Sequence, residues 1–151
     1  MKTFLNEFLF PTLMELPITP LRTSIDAYVS NGFIGEVSGV SILERRNSVQ
    51  DHVDALNCLS YAMRKYGNLE LDIFFQICPI WAKGFQLVEN PHSTDLAVYI
   101  QSESPHSEQV HIGIIRPNNQ VESKWGYDHV MLHDFGAVPT GYGNLLLFFR
   151  K

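Results

Sequence analysis

Residues 95–125 read DLAVYIQSESPHSEQVHIGIIRPNNQVESKW, and the reading of this stretch decides the fold. Leu96-Ala97-Val98-Tyr99-Ile100 is a short apolar run of the kind that forms a strand. The polar linker Gln101 to Gln109 carries the chain to a second run, Val110 through Ile115. Pro117-Asn118-Asn119 supplies turn residues, and Gln120 to Trp125 returns as the next strand, so these two runs predict a hairpin. A three-residue turn at 117 to 119 would point Ser123 to the same sheet face as His111, whereas a two-residue turn would put Glu122 there.

Outward from this stretch, Leu145 to Phe149 predicts a terminal strand, reached through a polar and aromatic segment that begins after Gly126 and holds Gly136, Pro139, Gly141 and Gly143. On the other side, Leu69 to Trp81 and Gly84 to Val88 are apolar runs that fit strands or a buried loop. Val49, Val53, Leu56, Leu59, Ala62 and Met63 recur mostly three and four residues apart until Gly67 stops them. That spacing predicts helix over about 48–66, either unbroken or in two segments with Asn57 capping the second. Ser24 to Asn31 fits a brief helix capped by Ser24, and Phe33 to Ile42 an extended or looped segment. Pro11, Pro17 and Pro20 rule out one long helix near the start. The expected fold class is α+β, a helix followed by an antiparallel sheet of about four strands.

The length of 151 residues suits one domain, with 1–47 as a segment of unassigned role and 48–151 as the core. A hydrophobic fraction of 45% and a charged fraction of 18% exclude a disordered chain. A net charge of −5 leaves no electrostatic footprint for a nucleic-acid backbone. No stretch approaches the roughly 20 apolar residues that span a bilayer. Met1 to Leu16 resembles a weak export signal, but Glu7, Pro11 and Glu15 interrupt it and no small-residue cleavage site follows. The expectation is a soluble protein, cytoplasmic or exported without a clear signal peptide.

Cys58 and Cys78 do not make a disulfide framework, so free thiols are expected. His129 and His133 stand four apart, but no third ligand is evident, so neither a metal nor a cofactor is expected. Cys58 opens an apparent helical segment, Asn57-Cys58-Leu59-Ser60-Tyr61-Ala62. A thiol at a helix N-terminus lies at the positive end of the dipole, which favours the thiolate. His111, at the start of an apolar strand, could serve as its base if the fold brings the two together. The bland readings are a small buried cysteine and a strand-end surface histidine. Cys78 reads as core, His52 as solvated, and Trp125 as core more readily than as part of a substrate groove beside Lys124.

The segments Asn57-Cys58-Leu59-Ser60-Tyr61, Asp95-Leu96-Ala97-Val98-Tyr99 and His111-Ile112-Gly113-Ile114-Ile115 resemble papain-fold cysteine peptidases of the NlpC type. Ser123-Lys124-Trp125-Gly126 and Tyr142-Gly143 resemble more narrowly a poorly characterised group of small bacterial relatives. The resemblance covers roughly residues 50 to 151. It implies a nucleophile helix packed on a small antiparallel sheet, with Cys58 as nucleophile, His111 as base and Ser123 or Glu122 orienting the imidazole. It also implies hydrolysis of an amide in a peptide or cell-wall peptide through a thioester acyl-enzyme. The alternative expectation is an inactive papain-like domain that binds a protein, with Phe4, Leu5, Phe8, Leu9 and Phe10 as an apolar partner surface.

Overall fold

Strands with alternating side chains can bury both faces only if each face finds its own cover, and the longest runs of this chain are apolar on both sides. The computed structural model describes residues 14–45, 58, 61, 62, 65, 84–102, 108–125 and 129–151. In chain order the elements are β1 (Met14–Glu15), α1 (Pro20–Ser30), β2 (Val40–Glu44), β3 (Gln86–Val88), β4 (Leu96–Gln101), β5 (Glu108–Arg116), β6 (Gln120–Lys124), β7 (Val130–Asp134) and β8 (Leu145–Arg150). Every pairing is antiparallel, in the order β1-β8-β4-β5-β6-β7-β2, with β3 also paired to β8.

The expected papain-like α+β fold is therefore corrected. Eight strands join one sheet, and α1 is the only continuous α-helix among the described residues. Residues 58, 61, 62 and 65 are also helical. The strands that sequence reading overlooked are short. Val40 and Ile42 of β2 and Met131 of β7 become strand residues by packing under α1, a tertiary effect that local pattern does not carry. The expected helix at Ser24–Asn31 exists but starts earlier. Thr19 is the N-cap, its hydroxyl accepting from the Arg22 amide at 3.2 Å, and Pro20 takes the first turn, where its missing N–H costs nothing.

The sheet separates two cores. One face buries Leu96, Val98, Ile100, Ile112, Ile114, Leu145, Leu147 and Phe149, covered by Phe85 and Ala62, with Cys58 and Leu87 packed against them. The other buries Ala97, Tyr99, Ile115, Val121, Leu146 and Phe148, and continues into the cluster of Ile25, Tyr28, Phe33, Trp125, Met131 and Ala137 beneath α1. We call these the Cys58 face and the α1 face. Burying such side chains contributes about 1.5–3 kcal/mol each, and this supplies most of the drive to fold.

Arg22 of α1 closes the second face. Its side chain is buried, and its five N–H donors meet the carbonyls of Val138 (3.1 Å), Leu16 (2.7 Å), Pro17 (3.3 Å), Pro139 (2.9 Å) and Gly143 (2.8 Å). Burial lowers its pKa, opposed by the nearby Asp26 carboxylate. Asp26 in turn accepts from the Thr140 amide and hydroxyl at 2.8 and 2.6 Å, so α1 is pinned to the 138–143 loop at two points.

Candidate functional site

Strand alternation distributes the predicted site residues. Residues 112 and 114 of β5 face Cys58, so 111 and 113 face α1. His111 is opposite Tyr99 in the β4–β5 ladder, and their ring centroids are 5.5 Å apart. On its other side it stacks on Tyr142, at 4.0 Å and 21° between planes. The imidazole is buried, and its Nε2 is a buried polar atom with no hydrogen-bond partner among the described residues. Burial, with a smaller contribution from His133, holds its pKa well below the usual histidine range. Cys58 is half-buried against the opposite core. The structure thus places the expected nucleophile and base on different faces of the sheet.

The β5–β6 connection has the three-residue form. Arg116 pairs with Gln120 around the turn Pro117–Asn119, in which Asn118 and Asn119 both take positive φ. Ser123 accordingly shares the face of His111, but its partner is another residue. Ser123 Oγ lies 2.8 Å from His133 Nε2, and the Trp125 indole N–H donates to Ser123 Oγ at 3.1 Å. His133 Nδ1 is 2.9 Å from the Asp134 carbonyl, which can only accept, so Nδ1 carries the proton and Ser123 donates to Nε2. Ser123 and His133 are fully buried, and burial pushes the His133 pKa down to about 4 against the smaller effect of the Asp134 carbonyl. This chain of bonds satisfies polar groups inside a core.

Glu122 points the other way, toward the helical residues after Cys58. It lies opposite Ile114 in the β5–β6 ladder and is buried. The Tyr61 hydroxyl donates to its Oε2. Lys65 Nζ is 3.8 Å from Oε2 and Arg116 Nε is 3.6 Å from Oε1, and both basic side chains remain about half exposed. These residues, with Thr94 and Ile114, line a recess of about 340 Å³. Cys58, Tyr61 and Lys65 are three, then four, residues apart, the spacing that aligns side chains along one side of a helix. Sequence reading reached Glu122 only as a partner for His111, and missed Tyr61, Lys65, Thr94 and Arg116. The three-residue turn was the one available signal, since it places Glu122 opposite in sense to His111.

The remaining candidates are also located. Trp125 is core, and Lys124 is buried on the strand. His129 packs edge-on against Phe33 at 4.8 Å, so His129 and His133 stand on extended chain and share no helical face. Among the described residues no three His, Cys, Asp or Glu side chains cluster as a metal site, and no helix is long and apolar enough to cross a membrane. Asp51, His52, Asp54, Cys78, His106, Asp128, the Leu69–Trp81 run and the apolar N-terminal side chains lie outside the described residues.

Comparison of the chain with protein families, with curated proteins and with solved structures finds no match. Function is therefore argued from the site alone.

Proposed function

We propose that this chain is a ligand-binding domain and not a cysteine hydrolase, with the Glu122 recess as its ligand site. The observation that carries this reading is the placement of Cys58 and His111 on opposite faces of the sheet. A thiol and its general base must come within hydrogen-bond reach, and a closed sheet between them forbids this. Ser123 and His133 offer no substitute pair, because both are sealed beneath Trp125 and Tyr99. The recess has the attributes of a binding site: it is concave and floored by Ile114, and it gathers a carboxylate, two cations and a hydroxyl.

The test is the pH dependence of Cys58 alkylation by iodoacetamide in a Cys78→Ser background, with and without His111→Gln, near-ultraviolet circular dichroism confirming the native fold of each. The expected pH profile is indifferent to residue 111. A plateau that begins well below the free-thiol pKa of about 8.5, and that moves upward when His111 is replaced, would refute the reading and restore a coupled thiolate and imidazole.

A further inference from the structure

Two features of the recess are unusual together. The first is its charge. Glu122 is surrounded by the Tyr61 hydroxyl and by two cations where one would neutralise it, leaving one net positive charge around a concave surface. Neither cation closes to hydrogen-bond distance on Glu122, and both side chains are about half exposed where they line the recess. The second is Thr94, on the rim, with φ of 79°. A β-branched residue in the left-handed region is an outlier, and such conformations persist only where the surroundings over-determine them.

Here the surroundings do so. The Thr94 amide donates to the Ile115 carbonyl at 2.8 Å, the Ile115 amide donates to Asp95 at 2.8 Å, and the Asp95 amide donates to His92 at 3.0 Å. The Asp95 carboxylate accepts from the His92 amide at 2.7 Å and takes a two-pronged grip from Arg150 at 2.8 and 2.7 Å. Glycine would satisfy the same backbone without strain. Thr94 is held there by its own amide bond and by the bonds that fix its neighbour Asp95, and it lines the recess.

Resting on the binding-domain reading, we infer that the recess binds a carboxylate. Arg116 and Lys65 take its oxygens, and the Thr94 hydroxyl donates a further hydrogen bond. Arginine presents a planar fork that matches two carboxylate oxygens. Buried Glu122 behind the cations sets the charge the site accepts. A monoanion meets one net positive charge, whereas the second charge of a phosphate monoester would face the Glu122 carboxylate.

The experiment titrates the full chain with acetyl-dialanine as free acid, following the Thr94 amide and the Arg116 side-chain N–H by two-dimensional NMR. Acetyl-dialanine amide, acetate and inorganic phosphate serve as comparisons. The free acid is expected to saturate, the amide to give no saturable shift, and phosphate at pH 7.5 to bind more weakly than the free acid. Arg116→Gln should weaken binding about tenfold, the loss of one charge-assisted contact. Thr94→Gly should weaken it about threefold while leaving the melting temperature unchanged or raised. Acetate binding as tightly as the dipeptide would assign the site to small organic acids, and weaker acetate binding to peptide C-terminal ends. No saturation by the free acid, equal binding of the amide, tighter binding of phosphate, or indifference to Arg116→Gln would overturn the inference. So would a Thr94→Gly variant that melts lower. These outcomes leave the alkylation result untouched, so failure here and failure of the binding-domain reading are separable.

Discussion

Arg22 shows how the α1 face is kept closed. All five guanidinium donors are used on backbone carbonyls, and those of Leu16, Val138 and Gly143 are buried. In Arg22→Met the side-chain volume is roughly kept, but these three acceptors lose their partner, at about 1–3 kcal/mol each. Removing a buried cation returns several kcal/mol of desolvation, which offsets much of that loss. The net expectation is a destabilisation of about 3 kcal/mol. For a chain of this size each kcal/mol corresponds to about 2–4 °C, so the melting temperature should fall by about 10 °C. Arg22→Lys keeps the charge but carries three donors on a single nitrogen, which cannot span Leu16 and Gly143 together; about 2 kcal/mol should be lost. Urea unfolding followed by circular dichroism measures both, and an unchanged m-value would show that the native and denatured states keep their exposed area. An Arg22→Met chain as stable as wild type, or more stable than the Arg22→Lys chain, would refute the claim that the guanidinium holds this loop.

Other perturbations follow from the same face. Burial depresses the pKa of both His111 and His133, so below about pH 6.5 the unfolded chain binds more protons than the folded one. Their contribution is complete above pH 6.5 and is lost as the pH falls toward about 4 for His133, at about 1.4 kcal/mol per pH unit per histidine. Urea midpoints between pH 7 and 4.5 should therefore fall, and His133→Gln should flatten the slope; a flat wild-type profile would contradict the assignment. Gly113→Ala would drive a Cβ into the Val121 side chain and within 2.9 Å of Ser123 Cβ, at a cost of about 1–3 kcal/mol, partly recovered by Val121→Ala in chemical denaturation. Burial raises the Asp95 pKa, but Arg150 and the His92 amide outweigh it and hold the carboxyl below its ordinary range. Asp95→Asn should then cost about 1–2 kcal/mol at pH 7, a difference that shrinks as the pH falls below the ordinary carboxyl range, measured by the same titration.

The central hairpin and the last strand were legible because each carries its own signal: Leu96–Ile100 and Leu145–Phe149 are apolar on both faces, and Pro117-Asn118-Asn119 is a turn in its own right. β2 and β7 were not legible. Val40–Glu44 has an irregular burial pattern and pairs with Val130–Asp134 across roughly ninety residues of chain, so only the closed fold makes either a strand. Arg22 reads in sequence as a surface charge on a short helix. Its burial depends on five carbonyls, two from the nearby Leu16 and Pro17 and three from the distant 138–143 loop, which no local pattern announces. Of the recess, only Glu122 was legible, and only as a partner for His111; the parity of Ser123 with His111 depended on the turn length, which the structure supplies. Which face Cys58 would meet depended on packing, and the structure sets it with Glu122 on the side away from His111.

What holds His111 on that side is the register of β5, and Gly113 fixes it. A slip of one residue along β4 and β6 would send every β5 side chain through the sheet and bring His111 toward Cys58. The same slip would bring Ile112 or Ile114 to the place where Gly113 now lies beneath Val121 and Ser123, and there is no room there even for a single Cβ. The hydrophobic alternation points the same way, since Ile112 and Ile114 complete the core that Leu96, Val98 and Ile100 begin. An imidazole that a slipped strand would offer to a thiol is instead stacked on Tyr142. The alternative register would lose an entire apolar row. On the side away from His111, Glu122, Lys65, Arg116 and Thr94 line one recess.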